Sequence, residues 1–215
     1  VEVASAGRSG EGRELLYATV GDGPDVFWLQ ARIHGNELHS TEASLQILKS
    51  LGSSGSAEAR RIREALTVVV IPMYNPDGAT ANIRQSTTPL RIDLNRDWEN
   101  FAQPESRAFY ALWDELRPRL ALDLHHFGQA SRVVGTNELN SFQIGARSID
   151  PSRMTAEQWL TNRQMAMISV DAVSRLGTAG VARYPLIDIT NAVLSRMLMG
   201  GPGPDGGPQG ARRRR

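Results

Sequence analysis

The sequence predicts an α/β fold, a sheet with helices against both of its faces. Three observations carry this. Strand-like and helix-like segments alternate along the chain from Val26 to Leu124. One of them, Leu66-Thr67-Val68-Val69-Val70-Ile71, is a nearly continuous β-branched run, the pattern of a strand covered on both faces. The length of 215 residues suits one domain that buries about 70% of its unfolded surface.

The elements follow in order. Val26 to Ile33 reads as a strand. A helix is expected over 40–51, capped by Ser40 or Thr41, turning Ile47, Leu48 and Leu51 inward and ending at Gly52. Ser53 to Ser56 is a loop, 57–65 a second helix, and 66–71 the second strand. The helix over 104–117 is the best signalled. Pro104 suits its first position, Glu105 the positive end of its dipole, Phe109, Leu112, Trp113 and Leu116 make one apolar stripe, and Pro118 stops it. Leu120 to Leu124 is the third strand. A later helix starts near Thr155, with Gln158 completing a capping box, and runs through Met165, Ile168, Ala172 and Leu176, its methionines serving as core filler. Residues 1–199 read as one domain, and 200–215, rich in Gly, Pro and Arg, as a loop or tail.

Composition narrows the function classes. Lys49 is the only lysine among 24 basic residues, a bias that reflects genome base composition rather than nucleic-acid binding. The net charge of +1 includes four terminal arginines; residues 1–211 alone carry −3 (20 basic against 23 acidic). No basic face suited to tracking phosphates is expected. No run approaches the ~20 apolar residues of a membrane span. With no cysteine, disulfides and thiol chemistry are excluded. Neither nucleic acid nor membrane is therefore expected as a partner, and oligomeric state is not legible. The chain opens at Val1 with no basic and apolar leader, so either a signal peptide has been removed or the segment is excised. A secreted or periplasmic location is favoured over a cytoplasmic one.

The motif that decides function is His34-Gly35-Asn36-Glu37, just after the first strand, answered by His125 at the end of the third. Two imidazoles and one carboxylate suit zinc, and three protein ligands leave a fourth position for water. One zinc ion per chain is expected on His34, Glu37 and His125, with His126 as the alternative third ligand. Asn75-Pro76-Asp77-Gly78 follows the second strand, so three motifs stand at strand ends, where open α/β sheets build their sites. Asn75 and Asp77 read mainly as turn formers. Asp93 reads either as a carboxylate behind a ligating imidazole or as a turn residue. Asn95-Arg96 offers an amide beside a guanidinium fork, a receptor for a terminal carboxylate. His39, at a helix start, reads as exposed.

The order His-x-x-Glu, Asn-Pro-Asp-Gly, Arg, Asp93-Leu94-Asn95-Arg96, then Asp123-Leu124-His125 resembles the zinc carboxypeptidases related to carboxypeptidase A, as does Gly7-Arg8-Ser9-Gly10-Glu11-Gly12-Arg13. The resemblance covers roughly residues 5 to 130. It implies an α/β, three-layer architecture, a mixed twisted sheet with helices on both faces, and a bacterial metallocarboxypeptidase acting on a peptide or protein C-terminus. It implies that Asn95 and Arg96 hold the substrate's terminal carboxylate, and that Arg84 polarises the scissile carbonyl, with Arg91 as its rival. Enzymes of this family also use a glutamate on a late strand as general base. Only Glu138 and Glu157 follow His125, the first in a turn and the second in a helix's first turn; Tyr184 is a candidate for the family's mobile tyrosine. A chain cut before a strand bearing that glutamate is expected, with a natural inactive variant as the alternative. Two other functions stay open: an amidohydrolase of the aspartoacylase and desuccinylase type, and a catalytically silent zinc-containing module that binds peptide C-termini.

Overall fold

The computed structural model describes residues 1–98, 100–126, and positions 155–157, 160 and 164. The chain forms two compact units, Val1–Phe127 and Gly128–Arg215, and every element below belongs to the first. Of the expected later helix, Ala156, Glu157, Leu160 and Gln164 are helical and exposed. The rest of that helix, Glu138, Tyr184 and the 200–215 tail lie outside the described residues.

Strands β1 (Glu2–Arg8), β2 (Glu14–Val20), β3 (Asp25–Ala31), β4 (Leu66–Ile71) and β5 (Leu120–Leu124) make one sheet in the order β1-β2-β4-β3-β5. β2 pairs antiparallel with both β1 and β4, while β3 runs parallel to both β4 and β5. The sheet is therefore mixed. The parallel part results from helical crossovers: α1 (Leu38–Ser53) and α2 (Ala57–Ala65) carry the chain from β3 back to the start of β4.

Side-chain alternation splits β4 between two cores. Val69 and Ile71 join Leu15, Trp28, Phe109 and Leu112 on one face. Val68 and Val70 join Val20 and Leu29 on the other, under Leu48, Leu51 and Ile62 of α1 and α2. The first face is closed by α4 (Pro104–Leu116), whose Trp113 meets Trp28 edge-on at 5.1 Å. Each fully buried Val, Leu, Ile or Phe here contributes about 1.5–3 kcal/mol. The continuous apolar run of β4 is thus the sheet's centre, and both faces carry helices.

Three details depart from expectation. The β1–β2 hairpin was not anticipated, because β1 (Glu-Val-Ala-Ser-Ala-Gly-Arg) is largely exposed and shows no apolar alternation. Helix α1 spans 38–53 rather than 40–51, and Ile47 is exposed, not inward. Its buried face starts with small hydroxyl residues instead. The Ser40 hydroxyl donates to Glu37 O (2.7 Å), Thr41 to Pro72 O (2.8 Å) and Ser44 to Thr41 O (2.8 Å), so burial leaves none unsatisfied. Glu105 does more than face a dipole: it is buried and accepts from Gly10 N at 3.0 Å. Burial pushes its carboxyl pKa up. Among the described residues no helix is long and apolar enough to cross a membrane.

Candidate metal centre

The carboxyl ends of β3, β4 and β5 lie on one edge of the sheet because these strands run parallel. His34 follows β3, Asn75 follows β4 and His125 follows β5 directly. The turn that presents His34 and Glu37 is held by backbone and hydroxyl bonds. Arg32 takes a left-handed φ of 57°, its N–H donates to Ser40 Oγ (3.0 Å), and Glu37 N donates to His34 O (3.0 Å). Gly35 is required here: a Cβ on it would lie 2.1 Å from the carbonyl carbon of Gly78, so two turns touch backbone to backbone.

The Asn-Pro-Asp-Gly turn is the other half of that contact and opens α3 (Pro76–Ala81). Asn75 caps it, accepting from Gly78 N (2.8 Å), and its amide donates to Gln85 O (3.1 Å). Asp77, 2% exposed, accepts from the Ser9 hydroxyl (2.7 Å), the Arg13 guanidinium (2.7 Å) and Glu11 N (2.8 Å). The motif is structural, but it anchors the β1–β2 turn as well as its own loop.

Three donor atoms converge at the strand ends. His34 Nδ1 lies 2.7 Å from Glu37 Oε1, His125 Nδ1 lies 3.1 Å from Glu37 Oε2, and the two Nδ1 atoms are 3.2 Å apart. Four zinc ligands at about 2.0–2.2 Å place neighbouring donors about 3.3–3.6 Å apart in a tetrahedron. The observed separations are slightly shorter, so a small outward movement of each side chain accommodates the ion. His34, Glu37 and His125 are the one group of this kind among the described residues.

Both rings are backed by a carboxylate. His34 Nε2 lies 3.2 Å from Asp93 Oδ1, and His125 Nε2 lies 2.9 Å from Asp123 Oδ2. A donor bond at Nε2 leaves Nδ1 with its lone pair toward the centre. Asp93 therefore does what a carboxylate behind a ligand would do, and its own oxygen also accepts from Asn95 N at 2.9 Å. Asp123 was missed. The signal was available, since residues two apart on a strand share a face.

The electrostatics fit a cation. Burial alone would raise the Glu37 pKa, but hydrogen bonds from His125, His34 and the His126 backbone N–H overcome it and hold the carboxyl at about 2. Desolvation acts to lower the His125 pKa, yet Asp123 and Glu37 win and raise it to about 9. Burial likewise opposes ionisation of Asp93, and Asn95 N–H, His34 and Arg84 together hold its pKa down.

Arg84 reaches this centre. Its guanidinium lies 3.2 Å from His34 Nδ1 and pairs with Asp93 at 3.1 Å. Arg91 is exposed in a left-handed turn, and its N–H donates to Thr88 O. Asn95 Nδ2 stands 3.5 Å from His125 Nε2. Arg96 is exposed and donates to Asn95 O at 2.8 Å. The single 3-10 turn Leu94–Arg96 buries Leu94 and turns Arg96 outward. His126 does not enter the centre: its ring meets His39, and both are exposed.

Residues 1–103 match the family model described as zinc carboxypeptidase. The chain is 25% identical over 178 residues to Carboxypeptidase 2 of Trichophyton rubrum, covering 83% of this chain and 32% of that protein. It is 33% identical over 108 residues to a probable carboxypeptidase 2 of Arthroderma benhamiae, covering 50% of this chain and 20% of that one. It thus spans a third or less of the length of these relatives. A metallo-carboxypeptidase from Burkholderia cenocepacia has the same fold, with a TM-score of 0.60 at 23% identity over 80% of this chain and 46% of that structure.

Proposed function

We propose that this chain, whose residues 1–103 belong to the zinc carboxypeptidase family, hydrolyses the C-terminal peptide bond of peptides or proteins at the His34–Glu37–His125 centre. The observation that carries this reading is the convergence of three zinc-type donors at parallel strand ends, each imidazole oriented by a carboxylate. A zinc ion bound there supplies a Lewis acid for a carbonyl and brings the pKa of water to about 7.

The chain's own residues do the rest. Glu37 stays ionised at any working pH, and Asp93 and Asp123 keep Nδ1 of each histidine turned inward. Arg84, whose side chain is 43% exposed, stands beside the centre on Asp93, its guanidinium placed to turn toward an oxyanion on a substrate carbonyl. Asn95, next to His125, and the outward Arg96 offer amide and guanidinium donors to a terminal carboxylate. That grip selects the last residue of a chain and sets the scissile carbonyl near the metal.

The test compares peptides that differ only in a free or amidated C-terminus, with the zinc-loaded chain. Release of the last amino acid from the free form alone is expected, and Arg96→Ala should remove the discrimination. Equal binding of both forms would sink the exopeptidase reading. Binding of the free form without turnover would leave the silent peptide-binding module.

A further inference from the structure

Three hydrogen bonds set the turn between the ligands His34 and Glu37. The Glu37 N–H donates to His34 O (3.0 Å), the Gly35 N–H donates to Arg84 O (3.3 Å), and the Gly35 carbonyl accepts from Nε of Arg32 (2.8 Å). The third comes from a side chain, two residues before the first ligand. The backbone of Arg32 is itself tied on two sides. Its carbonyl accepts from Asn75 N (3.2 Å) and its N–H donates to Ser40 Oγ (3.0 Å), so the side chain starts from a point fixed to both the loop after β4 and the first turn of α1.

We propose that Arg32 is a positioning residue of the metal centre: its Nε–H holds the Gly35 carbonyl and so fixes the spacing of His34 and Glu37 before an ion arrives. This rests on the reading of His34, Glu37 and His125 as the zinc site, and it adds a residue that touches none of their donor atoms.

The Gly35–Asn36 peptide group is planar and lies between the two ligands in the chain, so its tilt sets how far Glu37 stands from His34. Gly35 offers no side chain by which that plane could be held, and the Gly78 backbone excludes one. The carbonyl is the remaining handle, and Arg32 takes it. Arg32 does so at a cost. Its φ of 57° is a conformation that glycine adopts without strain. Its side chain is half-buried, burial lowers its pKa, and among the described residues no carboxylate pairs with the guanidinium. A charged donor on a carbonyl makes a hydrogen bond roughly twice as strong as a neutral one, which offsets part of that burial. A turn already held in place loses less freedom when zinc binds, and affinity gains accordingly.

The test uses the full 215-residue chain. Competition against a chromophoric chelator gives zinc affinity, and Co2+ in place of zinc gives a visible spectrum that reports ligand geometry. Arg32→Met keeps the length of the side chain but loses the N–H, so zinc affinity should fall about tenfold and the cobalt bands should shift. Arg32→Gln puts an amide N–H at the same ε position and should restore most of the affinity and the wild-type spectrum. A purely structural role would lower the unfolding midpoint and leave the cobalt spectrum alone. Should Arg32→Met fail to fold, the metal-free wild type still decides: NMR should show scalar coupling from Arg32 Nε to the Gly35 carbonyl carbon before zinc is added. Wild-type zinc affinity in Arg32→Met overturns the proposal, as does a glutamine variant as weak as the methionine one, or a coupling that zinc has to create. A wild type that takes up no zinc would overturn the centre itself, and this inference with it.

Discussion

The Nδ1 atoms of His34 and His125 lie 3.2 Å apart across 91 residues of chain, with a Glu37 oxygen within 3.1 Å of each. Nitrogens that close, each with its other nitrogen on a carboxylate, are arranged to share a cation. Stoichiometric zinc is expected, and His34→Ala or His125→Ala should lose most of it, as read by metal analysis after dialysis. His126→Ala should keep it. The reverse result for the last two variants would move the third ligand to His126.

Asp93 and Asp123 orient the two rings from behind. Replacing either by asparagine keeps the size but removes the charge that favours the N–H at Nε2. Zinc affinity should fall about 10- to 100-fold in each variant, with the fold intact. Competition against a chromophoric chelator gives the number, and unchanged affinity in both would exclude the orienting role.

Zinc binding should strengthen with pH. The His125 pKa is raised to about 9, so in metal-free protein at neutral pH the ring is protonated and the ion must displace that proton. Affinity is then expected to rise about tenfold per pH unit from about 7 and to level off above about 9. The sign for stability is opposite. A raised pKa contributes stability to the metal-free fold that is complete below the unfolded value and is lost as pH rises through about 9. Denaturation of metal-free protein across this range tests it, and a stability that grows through pH 9 would contradict the pairing.

Gly35→Ala should damage the centre without touching a donor atom. Its Cβ would meet Gly78 backbone at 2.1 Å, which no side-chain movement relieves. Destabilisation of about 1–3 kcal/mol or more is expected, with weaker zinc binding, by chemical denaturation and metal titration. Wild-type behaviour on both measures would mean that the two turns separate at no cost.

Asp77→Ala should destabilise the fold by about 3 kcal/mol, because it strands the buried Ser9 hydroxyl and frees the Glu11 N–H and the Arg13 guanidinium together. The same substitution should leave donor identity untouched, so zinc stoichiometry stays at its wild-type value in the folded fraction. A loss within 0.5 kcal/mol would show that water replaces the carboxylate there.

Local pattern alone determined several things about this protein. The β-branched run of β4 marked the central strand. The stripe of Phe109, Leu112, Trp113 and Leu116 marked α4 and its inward face. The spacing of His34 and Glu37 marked a pair of donors in one turn. Each depends on residues within a few positions of one another, where helix and strand periods dictate which side chains share a face. Only the tertiary structure decided that β2 lies between β1 and β4, that Asp123 stands behind His125, and that Arg84 rather than Arg91 reaches the centre. It also turned Arg96 outward and paired His126 with His39. The physical reason is register: a one-residue slip of β5 against β3 would exchange His125 for His126 at the centre, and no short-range pattern encodes which alignment packs best.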